Sequence, residues 1–194
     1  MVPVSLAHWR RLLVATVLLA SLPALWRLGD VREALWHEQL VVAAFDQGQQ
    51  LQASGRLAEA VEAFQTAVRY ADLDPELYEI LAMAQSRLGR IDDSVATYRR
   101  ILRDYPHAYN AVLYRNVGLI ELRAGRFRAA RADLLKAVSL DSGDVLAFHL
   151  LGHTLAALKD FAGARDAWTR VLELNPGFQP ARDRLRELDA VPQD

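Results

Sequence analysis

Four stretches of this chain repeat one another in register. Gly48, Ala82, Gly118 and Gly152 recur at intervals of about 34 residues, one interval being slightly stretched. The same period carries Ala60, Ser94, Ala130 and Ala164, and the large residues Phe64, Tyr98, Leu134 and Trp168. It also carries the turn residues Gly55, Gly89, Gly125 and Lys159. Such a period demands an array of similar supersecondary units. One unit alone cannot bury its apolar face, so neighbours must stack. Arrays offer extended surfaces, and the expectation is therefore binding without catalysis.

Between the turn residues, every apolar run has helical spacing, and none alternates as a strand does. Asp30 reads as an N-cap with Glu33 completing a capping box, which predicts a helix over Val31–Ala53. Gly55-Arg56 breaks the first pair, and Leu57–Tyr70 forms the next helix. Asp74-Pro75 is a start signal, a carboxylate cap followed by proline at the first helical position. Gly89-Arg90 and Gly125-Arg126 punctuate the following pairs, and Lys159-Asp160 serves without glycine. Pro106 and Pro176 stop helices, and Ser142-Gly143-Asp144 replaces a missing proline. Small residues such as Gly118 and Ala130 are expected to let paired helices approach. Tyr98 and Trp168 are expected to fill the space between pairs. Pro180–Leu188 supplies a capping helix, and the chain should fray from about Val191.

The N-terminus has a different character. Residues Leu12–Trp26 carry no charge, with Arg10 and Arg11 before them and Arg27 after. A helix over residues 9–28 would approach the ~30 Å of a hydrocarbon core, with Trp9 and Trp26 near the interfaces. The expectation is a signal-anchor transmembrane helix in segment 1–29. Positive charge on the short side places the repeats outside the cytoplasm. For a bacterium this means a single-pass inner-membrane protein with periplasmic repeats. A cleaved signal peptide releasing a soluble periplasmic protein is the alternative.

With its units laid out, the chain resembles the tetratricopeptide repeat family. The fourth unit carries the pattern most fully, in Phe148, Leu151, Gly152, Leu155, Phe161, Ala164, Trp168, Val171 and Pro176. The second shows Tyr78, Leu81, Ala82, Gly89, Ile91, Ser94, Tyr98 and Pro106, and the third Tyr114, Val117, Gly118, Gly125, Phe127, Ala130, Leu134 and Ala137. The first is degenerate at Ala44 and Gln47 but keeps Gly48, Leu51, Gly55, Ala60, Phe64 and Ala67. The resemblance implies an all-α fold, a right-handed α-solenoid of about four helical hairpins with a C-terminal capping helix. The expected organisation is a connecting helix over 30–40, repeats at 41–74, 75–110, 111–144 and 145–178, and a cap and tail over 179–194.

In this family the first helix of each hairpin lines a groove that accepts a peptide or helix. The matching faces here are Phe45, Gln49 and Gln52; Glu79, Met83 and Ser86; Arg115, Leu119 and Leu122; and His149, His153 and Ala156. This mixture of apolar, amide and charged groups suits an amphipathic helix or an extended peptide. The implied function is an adaptor or scaffold for a protein or peptide partner, such as the subunits of a membrane or envelope complex. Relatives that grip the acidic C-termini of heat-shock chaperones use lysines, an arginine and asparagines. Those places hold Phe45, Gln49, Ile80, Val112 and Asn116, of which only the asparagine matches, so that specificity is not expected.

Other chemistry is thinly represented. His149 and His153 lie one helical turn apart, a spacing that can hold a metal, but Leu150 stands where a zinc-protease helix has its glutamate. No third ligand is evident; neither metal nor cofactor is expected, and the pair reads as polar contact residues that could titrate near neutrality. Arg123, Arg126, Arg128 and Arg131 crowd one turn and read as solvated charge. With 23 basic and 24 acidic residues the chain has no general attraction for nucleic acid. The lack of cysteine removes disulfides, thiolate nucleophiles and zinc–thiolate sites.

Overall fold

The computed structural model describes residues 27–71, 74–105 and 110–189. These form nine helices and, among the described residues, no strand. They are α1 (Arg27–Ala53), α2 (Leu57–Tyr70), α3 (Pro75–Arg87), α4 (Ile91–Asp104), α5 (Asn110–Arg123), α6 (Phe127–Leu140), α7 (Val145–Ala157), α8 (Phe161–Leu174) and α9 (Gln179–Asp189). The chain divides into two compact units, one ending at Ala84 and one beginning at Gln85.

The turns repeat as closely as the sequence does. At Gly125 the helix α5 ends in a left-handed residue (φ 74°). The Gly125 N–H donates to the Leu122 carbonyl and the Arg126 N–H to that of Glu121. This pair of bonds satisfies carbonyls that the helix end would otherwise leave open. The same two bonds recur after Gly55, Gly89 and Lys159. Lys159 holds φ 63° despite its side chain, so the repeat geometry outweighs the steric cost of that conformation. The expected start at Pro75 is present, with Asp74 Oδ1 accepting from the Glu76 N–H at 3.0 Å.

In the first unit α1 and α2 form a hairpin. Val41 and Ala44 of α1 pack with Ala67 of α2 and Leu77 of α3. The second unit stacks its hairpins through a core of Ala130 and Leu134 from α6, Leu151 and Leu155 from α7, and Ala164, Ala167, Trp168 and Val171 from α8. Ala181 of α9 closes this core, as expected of a capping helix.

In the first, third and fourth hairpins a glycine sits under a large residue. A Cβ built on Gly48 would lie 2.5 Å from the Phe64 ring, and one on Gly118 would lie 2.6 Å from Leu134 Cγ. Gly152 meets the Trp168 indole in the same way. Trp168 was expected to fill space between hairpins; it belongs to the core that joins them and also lies on the glycine of its own.

Two expectations change. Asp30 is not a cap, because α1 begins at Arg27 and runs through it. A single glycine, Gly29, costs a helix interior only about 1 kcal/mol and does not stop it. The expected hydrophobic anchor over 1–29 lies largely outside the described residues. Its described end is helical but carries Arg27, Asp30, Arg32 and Glu33 in quick succession. Among the described residues no helix is long and apolar enough to cross a membrane, which overturns the single-pass inner-membrane localisation. The stop at Pro106 and the frayed end from Val191 lie outside the described residues.

Candidate functional site

The first-helix faces are best described unit by unit. In the first unit, Phe45 of α1 is half-buried and its ring stands 5.9 Å from that of Phe64. Gln49 is exposed one turn later, and Gln52 half-exposed. On α3, Glu79 is half-buried, while Met83 is 52% exposed. The exposed or half-exposed positions of these two helices thus include glutamines and an uncovered methionine.

In the second unit the face is more committed. Ser86 and Leu119 are half-exposed. Leu122 and Ala156 are partly buried against the core. Arg115 of α5 donates from Nη1 to Asp144 Oδ2 at 2.7 Å, and the Asp144 side chain is only 7% exposed. Asp144 also caps α7, its Oδ1 accepting from the Ala147 N–H at 3.0 Å. Arg115 therefore braces one hairpin against the start of the next, which the sequence pattern alone did not reveal.

His149 and His153 do come together. Their Nε2 atoms are 3.2 Å apart and both rings are half-buried. The His149 ring meets Phe178 edge-on at 4.9 Å, and the His153 ring meets Trp168 at 5.4 Å. Trp168 Nε1 donates to the His149 carbonyl at 3.3 Å. Burial, with smaller contributions from His153 and the Arg184 cation, pushes His149 down to about 4. Burial and Arg184 also lower His153, against the pull of Glu187. Titration near neutrality, expected from the bare sequence, is displaced to acid. Among the described residues no group of three or more histidines or carboxylates is arranged to hold a metal. The positive charge of Arg184 further disfavours a cation here.

The four arginines around the third turn divide. Arg126 Nη1 donates to Asp92 Oδ1 at 2.5 Å, across one period of the repeat. Arg123, Arg128 and Arg131 are exposed.

Sequence reasoning missed a pair of polar positions inside the stack. In α3 and α4, Thr97 Oγ1 donates to the buried Gln85 Oε1 at 2.8 Å. The corresponding places of the next hairpin hold Glu121 and Asp133, both buried. In the first and fourth units they hold Leu51 with Ala63 and Leu155 with Ala167. Two polar residues at equivalent places in consecutive repeats are visible in the aligned sequence.

Comparison with known families decides what this architecture is. Residues 45–115 and, separately, residues 145–178 match models described as tetratricopeptide repeat, together more than half of the chain. The chain is a tetratricopeptide-repeat protein. Among curated tetratricopeptide-repeat relatives, RNA polymerase II-associated protein 3 of Xenopus tropicalis is 31% identical over 101 residues, 52% of this chain. That stretch is only 15% of the relative's length, and the relative's name lends the membrane localisation no support. MamA from Desulfovibrio magneticus RS-1 superimposes with a TM-score of 0.67 at 19% identity, covering 77% of this chain and 84% of that one. The first tetratricopeptide-repeat domain of Spaghetti (RPAP3), solved bound to the HSP90 peptide SRMEEVD, gives a TM-score of 0.55 at 26% identity. That match covers 59% of this chain and 90% of the solved one.

Proposed function

We propose that this protein is a non-catalytic adaptor that holds a protein or peptide partner against the first-helix faces of its hairpins. Met83 carries the reading. It is a large, flexible apolar side chain, 52% exposed, on a face that also presents Gln49 and Gln52 in the same unit. Methionine adapts its shape to varied apolar partners, and amides orient an extended backbone or a helix through hydrogen bonds. The peptide held by the related RPAP3 domain supports the same use of the fold.

The partner's chemistry should differ from that peptide's. SRMEEVD is acidic and ends in a carboxylate. The positions that would clamp such an end carry Phe45, Gln49, Ile80, Val112 and Asn116, with no cation among them. In the second unit Arg115 is already paired with Asp144. The partner is therefore an amphipathic helix or neutral peptide that inserts an apolar side chain beside Met83.

A photo-crosslinking amino acid placed at Met83 in the full chain, in its native host, tests this. A discrete adduct at that position, absent when the probe sits at exposed Arg69 on α2, is expected. Absence of any adduct at Met83 overturns the assignment. Binding of SRMEEVD as tight as that of the crosslinked partner would overturn the proposed chemistry.

A further inference from the structure

The third hairpin buries a pair of acidic residues. Glu121 lies near the end of α5 and is 6% exposed; Asp133 lies on α6 and is 4% exposed. They occupy the places that Gln85 and Thr97 hold in the preceding hairpin, where the two side chains are 2.8 Å apart. Arg99 of α4 reaches Asp133 from the preceding hairpin, with Nη2 donating to Oδ1 at 2.6 Å and to Oδ2 at 2.7 Å. Glu121 has no such cation on it, and its Oε2 is buried without a hydrogen-bond partner.

Of these two carboxylates, Asp133 alone is bonded to a cation, Arg99. An unpartnered buried acceptor costs about 1–3 kcal/mol, and a second buried negative charge raises the cost further. A proton shared by the pair removes one charge and supplies the missing donor. The preceding hairpin solves the same problem with neutral groups, Thr97 donating to Gln85. We propose that Glu121 and Asp133 form a proton-binding site, and that release of this proton loosens the packing of α5 against α6 within the third hairpin.

The electrostatics of the surroundings agree. Burial is the largest influence on Glu121, followed by the Asp133 carboxyl, and together they raise it to about 7. Arg99 from α4 and Arg126 from the start of α6 oppose this rise. Helix α7 also touches α5, but its titratable groups, His149 and His153, are stacked with Phe178 and Trp168. Arg126 is engaged by Asp92. A group raised in the folded state contributes stability fully below its unfolded value of about 4.5 and loses it as pH climbs through the folded one. The pairing of α5 with α6 is therefore tight in mild acid and loosened above neutrality.

The test uses the full chain. Carbon-detected NMR should give the Glu121 carboxyl a midpoint well above that of the other glutamates, and D133N should lower it. Hydrogen exchange in α5 and α6, corrected for intrinsic base catalysis, should speed up several-fold between pH 6 and pH 8.5 in the wild type. In E121Q it should remain at the slow level, because glutamine keeps a donor without the charge. A Glu121 midpoint among those of exposed glutamates overturns the proposal, as does an E121Q exchange profile parallel to the wild type. Should E121Q fail to fold, the wild-type and D133N titrations still decide.

Discussion

The Gly152 Cα faces the indole of Trp168 so closely that an added methyl would lie 2.6 Å from Cε2 and 2.7 Å from Cδ1. The contact is not replaceable by a small rotation, because Trp168 Nε1 is also tied to the His149 carbonyl. Glycine at 152 and tryptophan at 168 are thus one packing decision made by two residues.

Gly152→Ala should destabilise the protein by about 1–3 kcal/mol through overpacking. Chemical denaturation followed by tryptophan fluorescence or circular dichroism measures it. Combining Gly152→Ala with Trp168→Leu should recover part of the loss that the two single changes sum to. Full additivity would mean that the residues do not share this space.

The turns give a prediction of opposite signs. Gly125→Ala forces a methyl side chain into a left-handed residue and should cost about 1 kcal/mol. Lys159→Gly relieves that conformation where it already exists. It should gain up to about 1 kcal/mol, less whatever the unfolded chain gains in freedom. The two midpoints in urea should move in opposite directions.

Arg115 separates structure from recognition. Its pairing with Asp144 predicts that Arg115→Leu destabilises the second unit by about 1–3 kcal/mol, since Asp144 keeps its charge and loses its partner. Met83→Glu should leave the melting temperature nearly unchanged and weaken partner binding at least tenfold. Stability and affinity measured on the same two variants should therefore respond in opposite patterns.

The histidines define the acid limb. His149 is held near 4 in the folded chain against 6.5 when free. Between those values the unfolded state binds the proton and the folded state does not. Stability is thus complete above about pH 6.5 and falls as pH drops toward 4. His149→Gln should flatten this limb in thermal melts recorded from pH 7 to pH 4. NMR of the ring should find His149 still neutral at pH 5.5.

Much of the fold was legible because the period forces local choices to recur. Gly55, Gly89 and Gly125 marked the turns, and register alone identified Lys159 as their counterpart. Asp74-Pro75 named a helix start that its own side chain completes. The candidate site was less legible, because a row of positions does not say what covers them. His149 and His153 lie on one face, but Phe178, the last residue of the fourth repeat, stands edge-on against His149 and Trp168 against His153. Arg115 was expected to face a partner and is already spent on Asp144, 29 residues away. Asp30 misled because a carboxylate beside glycine resembles a helix start even where the helix runs through it.

The two links between second helices one period apart are not alike in their shelter. Asp92 of the Arg126 link is open to solvent, while Asp133 of the Arg99 link is enclosed. Added salt screens exposed charges far more than enclosed ones. Ionic strength therefore acts as a setting for elasticity: at high salt the outer tether slackens while the inner one persists.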